Sequence, residues 1–156
     1  MRVSADELAG VVELFGGLTR DELYEALSEL AYREGEELDG ADAGETLDAA
    51  IKSYHLVEYE RDDGEPLLVA GPRAFPEQPP HSEDLPHIMD VAERDVDREE
   101  LGAGVRATLE DEATAALAGA DTDRMRELVD VSYDLEAWAP VDCTAIRNRL
   151  DARLDD

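Results

Sequence analysis

Lysine is all but missing from this chain: Lys52 is the only one, and the other thirteen basic residues among its 156 are arginines. Cysteine is as scarce. Cys143 stands alone, which excludes an intramolecular disulfide and a cluster of thiolate metal ligands. No stretch approaches the roughly 20 consecutive apolar residues that cross a bilayer, and the opening residues 1–6, MRVSAD, lack the apolar core of a signal peptide. A soluble, cytoplasmic chain without a membrane partner is expected. The Gly-rich phosphate loop, the G-x-S-x-G elbow and the H-E-x-x-H zinc helix are all absent. The chain is therefore read as no enzyme, with no cofactor and no small-molecule substrate inferred.

What the chain has in excess is carboxylate. Asp and Glu number 41 against 14 bases, a formal net charge of -27. In dilute buffer a compact chain with this charge repels itself. In about 1 M salt the Debye length falls to ~3 Å and the repulsion is screened. Short, hydrated acids in place of long lysine stems suit the same solvent, so the composition points to the cytoplasm of an extreme halophile. High net charge also fits disorder, but 43% of the residues are hydrophobic and they fall at regular spacings. The acids are spread evenly, 20 against 6 bases over residues 1–80 and 21 against 8 over residues 81–156. The charge thus belongs to the whole surface, with no acidic tail or basic arm.

Helix starts are legible. Ser4 with Glu7, Thr19 with Glu22 and Asp42 with Glu45 fit the capping box. Leu8, Val11, Val12 and Phe15 share one helical face, as do Leu23, Leu27, Leu30 and Ala31, then Leu47, Ala50, Ile51 and Tyr54. Gly16-Gly17 and Gly35 end the first two helices, and residues 36–41 read as a loop. From residue 56 the pattern turns β-prone: residues 56–60 and 66–70 flank a five-residue connection containing Asp-Gly, which reads as a hairpin. Three helices and a hairpin are the order of a winged helix-turn-helix, spanning 1–70. Residues 71–83 hold four of the seven prolines and form a connector, which Phe75 is expected to pin to the core.

Residues 84–156 read as helical throughout. Leu85, Ile88, Met89 and Ala92 form a short helix after Asp84. Longer ones start at Asp97, Asp121 and Asp142, with stripes that include Leu101, Val105 and Leu109, then Met125, Leu128, Val129, Ser132 and Leu135, then Ile146 and Leu150. The fold class is mainly α: a winged-helix-like unit followed by a small C-terminal helical bundle that packs on it or dimerises. Two stretches, LTRDELYEALSELAYR at residues 18–33 and AGPRAFP at residues 70–76, resemble a family of uncharacterised haloarchaeal proteins. The resemblance extends end to end and implies the halophilic setting, but supplies no catalytic residues.

Each chemical candidate has a plainer alternative. A winged helix presents its third helix to the major groove and its wing to phosphates, which singles out Lys52, Ser53 and His55, with Arg61 at the hairpin tip and Arg73 beyond it. Asp62, Asp63 and Glu65 around the wing oppose that role. His81, Asp84 and His87 could be assembled into a metal site, but a solvated loop fits their spacing better. Cys143 follows Asp142 at a helix start, where the dipole lowers a thiol pKa, though a small buried residue is the default. Trp138 is read first as a core plug and second as a partner anchor.

The leading expectation is a non-enzymatic interaction or regulatory module with a protein partner or a second copy of itself. The alternative is a DNA-binding transcription regulator. Lowering salt from molar to about 0.1 M, where the Debye length grows to ~10 Å, is expected to abolish cooperative unfolding. Thermal melts that coincide at the two salt concentrations would refute the halophilic reading.

Overall fold

Side-chain caps set where the first helices begin. The computed structural model describes residues 1–62 and 64–155; Asp63, one of the acids assigned to the wing, and Asp156 lie outside the described residues. Helix α1 (Ala5–Phe15) follows Ser4, whose Oγ accepts from the Glu7 amide at 3.1 Å while Glu7 Oε1 accepts from the Ser4 amide at 3.0 Å. Helix α2 (Arg20–Arg33) repeats the arrangement with Thr19 and Glu22, at 3.2 and 2.8 Å. Both boxes satisfy amides that a helix start leaves open. Helix α3 (Gly40–Lys52) begins before the expected Asp42, because Asp39 Oδ1 takes the Asp42 amide at 3.1 Å and draws residues 40 and 41 into the helix.

Strands β1 (Leu56–Arg61) and β2 (Gly64–Ala70) pair antiparallel, Leu56 opposite Ala70 and Tyr59 opposite Leu67. The turn is tighter than the five-residue connection expected, since Arg61 and Gly64 already face each other across a bulge after Tyr59. Leu18, in the α1–α2 turn, exchanges backbone hydrogen bonds with Leu68 at 3.1 and 2.7 Å. That bridge ties the hairpin to the helix pair.

An 11-residue helix is marginal alone in water, so α1 depends on what it buries. Leu8, Val11, Val12 and Phe15 are buried, and α1 packs against α2, α3, β1 and β2. Leu23, Leu27 and Leu30 of α2, Leu47 and Ala50 of α3, and Leu56 and Leu68 of the hairpin complete the core. Fully burying a Leu or Phe is worth about 1.5–3 kcal/mol, so this stripe supplies much of what holds so short a helix in place.

The Pro-rich connector is held by its backbone rather than by Phe75. Contrary to expectation, Phe75 is 82% exposed. Its N–H donates to Asp6 Oδ1 at 3.0 Å and that of Glu77 to the Asp6 carbonyl at 2.9 Å. Gly10 permits this approach, since a Cβ there would lie 2.1 Å from the Glu77 carbonyl oxygen. A 3-10 turn, Ser82–Asp84, leads into α4 (Leu85–Ile88). Leu85 and Met89 enter the same core, while Ile88 and Ala92 of the expected stripe are exposed; the helix ends at Ile88 and the chain goes extended at Met89, so its spacing does not carry on to Ala92. The chain divides between Val96 and Asp97. Residues 84–96, grouped by sequence pattern with the C-terminal helices, therefore belong to the first unit.

The second unit holds α5 (Arg98–Ala118), α6 (Thr122–Trp138) and α7 (Thr144–Leu154), each packed on the other two. Asp97 and Asp121 cap α5 and α6 as expected. At α7 the cap position is Cys143, although Asp142 Oδ1 still takes the Thr144 amide at 2.9 Å. Leu101, Val105, Leu109, Met125, Leu128, Leu135, Ile146 and Leu150 are buried, and Val131 replaces the expected Val129 inside. No helix among the described residues is long and apolar enough to cross a membrane.

Gly10→Ala is expected to destabilise by about 1–3 kcal/mol, the usual cost of overpacking. Gly104→Ala, in the interior of α5 with nothing within 4 Å of the added Cβ, should stabilise by about 0.5–1 kcal/mol. Denaturant melts of both variants check the pair, and opposite signs are required.

Candidate partner surface

Helix α3 ends in a strained corner. Ser53 is the C-cap and Tyr54 turns left-handed at φ 63°, while the His55 amide donates back to the Ala50 carbonyl at 2.9 Å. A left-handed conformation costs a residue with a Cβ roughly 1–2 kcal/mol, which near-complete burial of the Tyr54 ring offsets. The Arg73 N–H donates to the Tyr54 carbonyl at 3.0 Å and the Gly71 N–H to that of His55 at 2.8 Å. Position 71 has to be Gly, because a Cβ would lie 2.4 Å from the Tyr54 carbonyl oxygen. Ser53 Oγ lies 2.7 Å from His55 Nδ1.

This corner brings together Ser53, His55 and the backbone of Arg73, with Lys52 exposed on the last turn of α3. Arg61 is elsewhere. Six residues of strand at about 3.3 Å each put it roughly 20 Å from His55. Its Nε donates to the Glu65 carbonyl at 2.9 Å and closes the hairpin end. The five residues picked from the sequence do not form one basic face. The exposed side of α3 carries Glu45, Asp48 and Ala49 beside Lys52.

The basic residues are largely occupied within the chain. Arg94 spans the first unit to donate from Nη1 and Nη2 to Glu22 at 2.7 and 3.0 Å, and from Nη1 to the Gly17 carbonyl at 3.0 Å. In the second unit Arg147 donates to Glu136 at 2.9 Å and to the buried Ser132 Oγ at 3.0 Å, with its guanidinium 4.1 Å from the Tyr133 ring centre. Arg124 joins Glu112 to Glu127, and Arg106 donates to the Asp142 carbonyl at 2.8 Å. A planar fork that grips two oxygens at once is what arginine offers and lysine does not. Sequence pattern missed these pairs; apart from Arg124–Glu127, three residues apart, nothing local marks the partner.

Arg20 differs. Its guanidinium reaches Asp48 at 3.3 Å and Glu58 at 3.8 Å, with all three side chains substantially exposed. An open groove of about 360 Å³ lies there, lined by Arg20, Asp21, Glu58, Glu65, Pro66 and Leu68.

The remaining candidates fall outside this surface. Burial pushes the Cys143 thiol up, with the Glu136 carboxylate adding to it, which reverses the lowering expected from the helix dipole. Cys143 is fully buried and its amide donates to Glu136 Oε2 at 2.8 Å. Among the described residues, no three His, Cys, Asp or Glu side chains converge to hold a metal ion. His81 and His87 are both exposed. Trp138 is half-buried, with the Arg98 guanidinium 4.1 Å from its ring centre.

Three helices closed by a hairpin, a backbone-clamped connector and a separate three-helix unit, all under a carboxylate surface, define a mainly helical acidic protein. Residues 6–155 match DUF7109, a family of unknown function, and the chain belongs to that family. No curated protein and no solved structure matches the chain.

Hydrogen bonds from Arg94 hold the Glu22 carboxyl down to about 2, with the Thr19 amide assisting against burial. Because the folded-state value lies below the ordinary 4.5, the stabilisation is complete above that value and is lost as pH falls toward 2. The stability difference between the protein and Glu22→Gln should therefore shrink from about pH 5 to about pH 2. A difference that stays constant in denaturant melts over that range would remove the ion pair from the account.

Proposed function

We propose that this protein is a non-enzymatic interaction module of a halophilic archaeal cytoplasm, and that Phe75 is its partner anchor. The observation that carries this reading is the pairing of a large apolar side chain in full solvent with a backbone that has little freedom to withdraw it. Phe75 is 82% exposed, yet its amide is bonded to Asp6 and the flanking residues 73 and 77 are bonded to Tyr54 and Asp6. An anchor fixed in its bound position loses little entropy on docking, and buried aromatics dominate interface energetics. Tyr32, 79% exposed at the end of α2, adds a second ring on the same unit. No catalytic residue is proposed.

A second reading, a winged-helix DNA-binding regulator, is supported by the order α1, α2, α3, hairpin and by the Leu18–Leu68 bridge that gives the hairpin a third edge. Lys52, Ser53 and His55 would then face bases or phosphates, with Arg73 near them. The carboxylates of Glu45 and Asp48 on the same helix favour a protein partner, because non-specific DNA affinity comes from cations that neutralise phosphates.

Capture of tagged protein from native cells in molar KCl, with and without nuclease, tests both readings. The expected result is a protein partner that survives nuclease and is lost with Phe75→Ala, while the melt of that variant stays within about 0.5 kcal/mol of the parent, as for an exposed side chain. Sequence-restricted DNA that nuclease removes, and that Lys52→Glu weakens, would establish the regulator instead.

A further inference from the structure

We propose that the groove between the start of α2 and the hairpin docks a short basic segment of the partner protein, whose Arg or Lys takes the place of Arg20 on Asp48 and Glu58. This rests on the interaction reading above and names the partner's chemistry. The groove's about 360 Å³ lies at the small end of ligand clefts; it suits a few side chains of a segment rather than the face of a folded domain. Its walls carry Asp21, Glu58 and Glu65, and Arg20 reaches Asp48 as well as Glu58, so four carboxylates lie in or beside the groove and two of them hold its one guanidinium. Pro66, half-buried, and the little of Leu68 that is exposed give it an apolar floor. The occupant that fits is a cation followed by an apolar side chain.

The resident cation is built to be exchanged. Arg94 grips Glu22 at 2.7 Å with both side chains about three-quarters covered. Arg20 instead makes contacts of 3.3 and 3.8 Å to carboxylates that are 73% and 40% exposed, and is itself 46% exposed. Exposed pairs of this kind contribute little, so an incoming guanidinium with better geometry can displace Arg20 at small cost. Until then Arg20 neutralises part of the groove. Phosphate-bearing ligands are repelled by the same four carboxylates, and a second copy of a chain carrying -27 is a poor source of a basic segment.

The test titrates the full-length, 15N-labelled protein in about 0.5 M KCl, where the Debye length is a few ångströms, with an alternating Arg-Leu hexapeptide and its Glu-Leu counterpart. Amide shifts are expected at residues 20, 21, 58, 65, 67 and 68 with the basic peptide alone. Arg20→Ala should tighten binding about threefold or more beyond Arg126→Ala, a control that removes a 65% exposed cation on α6. Glu58→Gln combined with Glu65→Gln should weaken it about tenfold, with melts confirming that each variant is folded. Equal effects of the two arginine variants, or shifts spread over the acidic surface, would overturn the groove. Loss of partner capture on Phe75→Ala with unaltered capture by the groove variants would sink this proposal and leave the interaction reading standing. A groove titration that behaves as expected without any captured protein would overturn the interaction reading and, with it, the assignment of the groove's occupant to a protein partner.

Discussion

The Glu22 carboxylate carries two duties at once, and the first unit is organised around that double use. One oxygen closes the capping box with Thr19 and so starts α2. Both oxygens also receive Arg94, 72 residues away in sequence. The Arg94 amide donates to the Phe15 carbonyl at 2.7 Å, and its own carbonyl crowds the left-handed Gly16 so closely that a Cβ there would lie 1.8 Å away. The last stretch of the unit is thereby fastened to the α1–α2 turn, the same turn whose Leu18 holds the hairpin. Helix pair, hairpin and the stretch around Arg94 meet at one place. In a chain with so few cations, committing an arginine there also determines what is left for the surface.

That economy separates two populations of arginine. Arg94, Arg124 and Arg147 are largely covered and hold helices or turns together. Arg20, Arg126 and others sit in water with long, loose contacts. The covered group is structural by geometry. Any recognition by positive charge has to come from the second group and from Lys52. The surface outside these residues is dominated by carboxylates, which is why the candidate interface rests on an exposed aromatic ring and an acidic groove rather than on a basic face.

Much of the fold was legible because its determinants are local. Ser4 with Glu7 and Thr19 with Glu22 announce helix starts within four residues, and the stripes of α1 and α2 are buried as spaced, as are Leu101, Val105 and Leu109 of α5. Legibility fails where a nearby residue competes or a distant one decides. Asp39 and Asp42 are both plausible caps, and only the observed hydrogen bond separates them. Phe75 looked like a core residue because it is apolar in a polar segment, yet the segment is held by amides that no side-chain pattern reports. Residues 84–96 carry a helical spacing, but Leu85 and Met89 are claimed by the core of the preceding unit. Of the candidate site, the winged-helix pattern sets Ser53 and His55 on the third helix; both lie just past its end at Lys52, and they do lie together. The groove was invisible, since its walls come from α2, β1 and β2, brought side by side only by folding.

The approach of Glu77 to Gly10 has a consequence for how this unit tolerates being cut. A proline-rich stretch between helical regions invites treatment as a tether, to be shortened, lengthened or severed. Here its amides at 71, 73, 75 and 77 serve carbonyls or carboxylates of residues 6, 54 and 55. A fragment ended at residue 70 would strip four donors from α1 and from the left-handed corner after α3, and would uncover the positions that Leu85 and Met89 fill. The seam at which the chain can be divided with least injury lies instead between Val96 and Asp97, inside a run of charged residues that carries no proline at all.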